Sequence, residues 1–461
     1  MTKKASSPSN GGAWKDMRNP FVGAVGVSLI LLQILFLGNM CYLYATQYRN
    51  SSRVHSMKML YVDYDGGVIG QSVADAYQSL KADSFPSLYQ LSAGQYSTPE
   101  DLRGAVCSGD YWAAIYAAPD ASNALANTLA NGTVSQGSAL TYIWNGARYP
   151  AIGQSEIYAN IMTLFQVARS TYYSSSASGV LSSINVSSSI AVETFLNPIE
   201  ASEINLKPTT QGPRVLYNTV SLVMPIIQQF FFMMALNGIS SQFHVYTKLG
   251  HMANGLLRMS VSIIYTFISA LCMVGYIWAF KEDWAVNGNQ FVLSWMIIWF
   301  YMHINFAIID SLTAFVPMQF LPFCILTWVI LNISSSISPF ELNPGFFRWG
   351  YALPAHEVYQ VLVQIWSDGC QDQSYRALPI LFAWWIVGIA IAIYAVHYRC
   401  QISLRAQSVT EGIELQGEEL TPSASPDEIL ANRRRNTMES IRLERQAYGP
   451  SYPTPGFQGE A

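Results

Sequence analysis

Apolar residues in this chain gather into six long runs, one near the N-terminus and five in the second half, with a polar Ser- and Tyr-rich stretch from Ala45 to Arg214 between them. A bilayer's hydrocarbon core of roughly 30 Å takes about 20 apolar residues as helix. The runs that reach this length are Pro20–Tyr44, Val215–Ile239, Met259–Phe280, Phe291–Leu312, Val316–Ile337 and Ala377–His397. The stretch 45–214 is too long for a loop and has the size of a folded domain. The chain therefore reads as a polytopic α-helical membrane protein, with six transmembrane helices and an α/β extracytoplasmic domain inserted between helices 1 and 2. A composition of 51% apolar and 12% charged residues agrees with this.

Residues 1–19 are then an N-terminal tail, 215–398 a five-helix membrane domain with an outer loop at 338–376, and 399–461 a largely disordered cytoplasmic tail. The first run exceeds a signal-peptide core and shows no small-residue cleavage site, so it is expected to stay as an anchor. Lys and Arg mark cytoplasmic loops. Lys248 and Arg258 follow the second span, and His397, Arg399 and Arg405 the last, which puts both termini in the cytoplasm and the large domain on the lumenal or extracellular side. Sequons at Asn131 and Asn185 lie in that domain and are candidate glycosylation sites; Asn50 sits too near the membrane, and Asn332 falls inside a span.

Within the large domain, Lys58–Tyr64, Tyr111–Ala117 and Leu140–Trp144 read as strands, and Gly70–Lys81, Asp120–Ala130 and Ser155–Tyr172 as helices. Ser and Gly dominate 174–189, which suggests a flexible excursion. In the tail, Ser425-Pro426-Asp427-Glu428 has the form of a capping box opening a helix toward Gln446, whose Arg433-Arg434-Arg435 reads as a solvated face.

A single N-terminal span, a strand ending in Val62-Asp63-Tyr64-Asp65-Gly66-Gly67, a Gly109-Asp110-Tyr111-Trp112-Ala113-Ala114-Ile115 strand and five closing spans resemble the fungal nitrosoguanidine-resistance family. Its members share a membrane domain of unassigned molecular function. The layout is also similar, more distantly, to phage-infection proteins and ABC-2-type permeases. That likeness implies an external segment over the outer mouth, here 351–366, and an ATPase-contacting first intracellular loop, here Gln242–Leu257. The apolar residues of Gln242–Leu257 recur at helical spacing, which equally describes a lipid-surface helix.

No enzyme constellation emerges, and no cofactor or metal is expected. His356-Glu357-Val358-Tyr359-Gln360 begins like H-E-x-x-H, but Gln360 replaces the second ligand. No Gly-Lys dipeptide occurs, which excludes a Walker A loop, and Gly66-Gly67-Val68-Ile69-Gly70 has the spacing of a tight turn, not of a dinucleotide fingerprint.

Polar groups inside spans are costly and so are candidates for a transport path. They are His303, Asn305 and Asp310 in the fourth span, with His303 and Asp310 on one helix face, and Gln228 and Gln229 beyond Pro225 in the second. Asp310 equally suits a cap on the turn before Val316, and Pro225, Pro317 and Pro322 suit plain kinks. Of the six cysteines, only Cys107 and Cys370 lie outside both the spans and the cytoplasmic side, so they form a disulfide or are two buried thiols. Cys400, flanked by Arg399 and Arg405, is a candidate palmitoylation site.

The expected function is a plasma-membrane transporter or efflux factor conferring resistance to toxic small molecules such as nitrosoguanidine-type compounds. The alternative is a non-transporting scaffold or regulator of lipid organisation and drug permeability. The lipid bilayer is the expected partner. A small hydrophobic or toxic substrate, a homodimer and a partner ATPase are open, and nucleic acid is not expected.

Overall fold

The computed structural model describes residues 10–133, 137–182, 184–317, 320–418 and 426–451. Helix α1 (Asn10–Thr46) leads into β1 (Lys58–Asp63), α2 (Val68–Leu80), β2 (Ser87–Leu91), α3 (Pro99–Ser108), β3 (Ala113–Ala117), α4 (Ala121–Asn131) and β4 (Leu140–Trp144). Next come the short α5 (Pro150–Ile152), a π-helical turn at Gly153–Tyr158, α6 (Ala159–Leu181), α7 (Ser189–Leu196) and β5 (Ala201–Asn205). The membrane part is α8 (Val220–Gln242), α9 (Val245–Lys248), α10 (His251–Ala279), α11 (Gly288–Phe315), α12 (Leu321–Ser336) and α13 (Pro354–Trp366), followed by α14 (Ser374–Glu418) and α15 (Pro426–Tyr448).

The strands form one sheet in the order β2-β1-β3-β4-β5, parallel except for the antiparallel β3–β4 pair. Side chains alternate across a strand. Met59 and Tyr61 of β1 therefore join the core with Ile69 and Val73 of α2 and Ile161 and Leu164 of α6, while Leu60 and Val62 meet Leu102 and Val106 of α3 on the other face. The edge strands β2 and β5 are only half-buried, and Ser87, Gln90, Ser202, Glu203 and Asn205 interrupt their short apolar pattern. No flexible excursion opens at Ser174: α6 continues to Leu181, and its serine hydroxyls bond back to carbonyls of their own helix, as Ser174 does to Ser170 O at 2.9 Å.

The Asp-Tyr-Asp-Gly-Gly motif after β1 is a structural knot. Asp63 Oδ1 accepts the backbone N–H groups of Asp65 and Gly66, both at 3.0 Å, and Asp65 accepts Ser122 N–H at 2.8 Å at the start of α4. The backbone of Gly70 passes so close to the Asp63 carboxylate that a Cβ there would overlap it.

Among the described residues five helices are long and apolar enough to cross a membrane: α1, α8, α10, α11 and α14. The sixth expected span, 316–337, is reduced to α12. Its 16 residues rise about 24 Å, short of a hydrocarbon core of roughly 30 Å. Pro322 sits in its first turn and sets where it starts. Helix α11 is the centre of the bundle, packed by α8, α10, α12, α13 and α14. Helix α1 packs against α12, where Asn39 Nδ2 donates to Thr327 Oγ1 at 3.3 Å, while its Leu37 is 66% exposed, an apolar surface suited to lipid.

Two other expectations change. Gln242–Leu257 is not one amphipathic helix: His244 is left-handed (φ 49°) and Gly250 extended, so α9 is a short turn and α10 begins at His251. Nor is the tail largely disordered where it is described, since α14 runs to Glu418 and α15 folds back antiparallel along it. Gln446 Nε2 donates to Tyr398 OH at 3.0 Å, and the hydroxyls of Ser440 and Thr410 lie 2.6 Å apart. Ser425, Lys3 and Lys4 lie outside the described residues.

Gly70→Ala is expected to destabilise the sheet domain by roughly 1–3 kcal/mol through overpacking, read as a lower melting temperature of the purified protein.

Candidate functional site

Charges inside a bilayer persist only when paired. Here they converge on one carboxylate at the end of the bundle that faces α15. Asp310 of α11 receives Arg258 of α10 in a bidentate pair, with Nε at 3.0 Å from both oxygens and Nη2 at 2.8 Å from Oδ1. Arg399 of α14 reaches the same Oδ1 at 3.1 Å and the Asp310 carbonyl at 2.9 Å. The side chains of all three residues are buried.

Most of the remaining guanidinium protons are taken up locally, while the Arg399 Nε–H is buried without a partner among the described residues. Asn237 Oδ1 of α8 accepts from Arg258 at 2.7 Å and Arg399 at 3.0 Å; Tyr246 OH accepts from the same pair at 2.9 and 3.2 Å, and Thr313 Oγ1 accepts from Arg399 at 2.7 Å. Asn237 then donates its own N–H to Pro450 O at 3.2 Å, just beyond α15. The tail is thus bonded to a side chain that also holds both arginines.

Sequence reasoning found Asp310 but missed its partners. Arg258 was counted as a loop charge and Arg399 as a juxtamembrane one, because each follows or precedes an apolar run by a residue or two. Only the longer helices α10 and α14 bring them inside.

The expected transport path is not assembled as such. His303 Nδ1 accepts Trp385 Nε1–H at 2.9 Å, and Asn305 accepts Trp328 Nε1–H at 2.9 Å while donating to Tyr301 O. Gln229 is fully buried, with neither amide atom partnered among the described residues; Gln228 is half-buried. His303 and Asp310 do line one cavity, between α10, α11 and α14, but its volume of about 40 Å³ holds only a few waters.

Cys400 does not present a thiol for acylation. It is 1% exposed on the inner side of α14, and its Sγ accepts Asn254 Nδ2–H at 3.5 Å.

At the opposite end the sheet domain is fastened to the segment around α13. Cys107, near the end of α3, is bonded to Cys370. Lys207 Nζ lies 2.9 Å from Asp368 Oδ2, and the Tyr149 N–H donates to Tyr359 OH of α13 at 3.2 Å. Asn131 is exposed on this domain, and Asn185 is half-buried with Oδ1 accepting the Ser187 N–H. Asn332 is buried, its Oδ1 accepting the Ala355 N–H.

The His356-Glu357 pair opens α13. Ser335 O accepts from His356 Nδ1 at 2.8 Å, which fixes the proton on that nitrogen. Burial holds the imidazole down, from 6.5 to about 3. Burial likewise pushes the Glu357 carboxyl up from 4.5 to about 7, against the pull of Arg376 at 3.3 Å. Among the described residues no group of three or more His, Cys, Asp or Glu is placed to hold a metal.

Asp310→Asn leaves two buried guanidinium groups without their counter-charge and is expected to cost roughly 3–5 kcal/mol of stability, measured as thermal unfolding in detergent. A second expectation concerns pH. Between 4.5 and 6.5 folded Glu357 keeps a proton that the unfolded chain releases, so its contribution falls as pH rises; folded His356 refuses one that the unfolded chain takes up, so its contribution rises with pH. The two slopes oppose each other. Glu357→Gln leaves the His356 slope alone, and its melting temperature should therefore drop more than the wild type's on acidification through this window.

No solved structure matches the chain. Over 137 residues it is 31% identical to a Saccharomyces cerevisiae protein named "Uncharacterized endoplasmic reticulum membrane protein YJR015W", a match spanning 28% of this chain and 27% of that relative. The membrane named there corrects the expected plasma-membrane location, since that relative is an endoplasmic reticulum protein. Residues 28–390 match the family described as "Protein of unknown function (DUF3533)", and because this is well over half of the 461 residues, the chain belongs to that family.

Proposed function

We propose that this chain is a non-transporting membrane scaffold or regulator of lipid organisation, resident in the endoplasmic reticulum membrane with its sheet domain in the lumen. The supporting observation is the fastening of both ends of the bundle. On one side Asp310 ties α10, α11 and α14 together, and Asn237 adds α8 and the tail; on the other a covalent bond joins the sheet domain to the segment after α13. A carrier that alternates its access must separate such contacts in every cycle, whereas a platform keeps them. The lumenal assignment draws on the endoplasmic reticulum membrane named for the yeast relative and on the oxidising compartment that a Cys107–Cys370 bond requires.

The transporter reading, with resistance to nitrosoguanidine-type compounds, draws on the resemblance to that resistance family and on the small cavity shared by His303 and Asp310. Reconstitution in liposomes distinguishes the two. A scaffold gives no flux of a nitrosoguanidine-type compound above protein-free vesicles, with or without a partner ATPase. Flux that is abolished by His303→Leu, at unchanged protein incorporation, would overturn the scaffold reading.

A further inference from the structure

A second cavity, of about 160 Å³, lies where the sheet domain meets the outer membrane segments. Its walls carry Arg148, Glu341, Tyr351, His356, Gln371 and Arg376. The volume is below the roughly 300–1,000 Å³ of sites for drug-sized ligands and suits a group of headgroup size. The site lies between the segment that follows α12, which ends at Ser336, and the start of α14 at Ser374, where the helices leave the apolar layer.

The walls are built and only partly satisfied. Arg148 is 7% exposed and stacks on Trp112, its guanidinium carbon 3.7 Å from the ring centroid. Its Nη1 donates to Gly109 O at 3.3 Å, and its Nη2 lies 3.5 Å from Glu341 Oε1. Its Nε–H is buried without a partner among the described residues. Two acceptors are in the same state, His356 Nε2 and Gln371 Oε1. Because the His356 proton is fixed on Nδ1, Nε2 offers a lone pair. The Gln371 side chain occupies the space a Cβ at Gly109 would need, so Gly109 (φ 89°) is required for this wall. Arg376 lies over the Tyr351 ring, 4.8 Å from the centroid, with Glu357 behind it.

The cavity is lined by two guanidinium groups suited to an oxyanion and by a carboxylate, and His356 and Gln371, which also line it, each keep an unpartnered acceptor for an N–H donor. A simple anion leaves the acceptors unfilled and faces Glu341. A metal cation meets two arginines. A quaternary ammonium brings no N–H. We propose that this cavity binds a small zwitterion that joins a primary ammonium to an oxyanion, carried either by an amino-bearing phospholipid headgroup or by its free soluble counterpart. The inference is independent of whether the chain transports.

The test uses the full chain, purified in detergent for soluble probes and in nanodiscs for lipid ones. Calorimetric titration with O-phosphoethanolamine is compared with O-phosphocholine and inorganic phosphate, and nanodiscs of phosphatidylethanolamine are compared with phosphatidylcholine by thermal unfolding. The expected result is that the primary-amine form binds at least about tenfold more tightly than the quaternary one, or raises the melting temperature where the other does not. Binding of the soluble probe identifies the free zwitterion as sufficient, and an effect in nanodiscs alone identifies the lipid headgroup; either supports the site. Arg376→Gln, at a half-exposed position, and Gln371→Met should each weaken the effect about tenfold while the protein stays folded. Equal binding of phosphocholine or phosphate, no response to any probe, or a response unchanged in both variants overturns the proposal.

Discussion

One carboxylate organises the membrane domain. Asp310 sits in an apolar bundle where an unpaired charge is prohibitively costly, and it is compensated by two guanidinium groups from different helices. Two cations on one anion leave an excess positive charge, and the dipoles of Asn237, Tyr246 and Thr313 surround it. Satisfying so many donors at once fixes the relative positions of α8, α10, α11 and α14. It also reaches the tail, because the Asn237 amide that accepts from both arginines has its N–H left for Pro450.

The opposite end is held by different chemistry to a similar effect. There the sheet domain rests on α13 through a disulfide, the Lys207–Asp368 ion pair and the Tyr149–Tyr359 contact, whose rings are also 4.8 Å apart. Between the two ends the bundle is largely apolar and aromatic, with Tyr217, Trp284 and Trp366 packed together near the sheet domain. Both ends of the bundle are thus tied by buried polar or covalent contacts. The polar cavity beside Arg148 is lined by residues that keep unpartnered buried polar atoms.

Strands β1, β3 and β4 were legible because they are buried on both faces and read as apolar runs. Strands β2 and β5 were not, because an edge strand needs few apolar residues. The long helices were legible in place but not in length. α14 runs from Ser374 to Glu418, and the hydropathy of 377–397 gives no hint that Arg399 turns inward. Helix α15 could be located from Pro426, yet its polar composition suggested a solvated segment, whereas its C-terminal end packs Tyr448 against Tyr246.

What the sequence by itself determined is the division of the chain into long apolar runs and a domain-sized polar stretch between the first and the second. Hydropathy is a local, one-dimensional property, so one chain suffices to read it. What only the tertiary structure decided is the partnership of each buried polar group. Arg258, Asp310 and Arg399 are far apart in sequence, as are Arg148, Glu341 and His356, and each is uninformative alone. Their meaning lies in distances near 3 Å that depend on how the helices pack, and packing is a property of the assembled bundle.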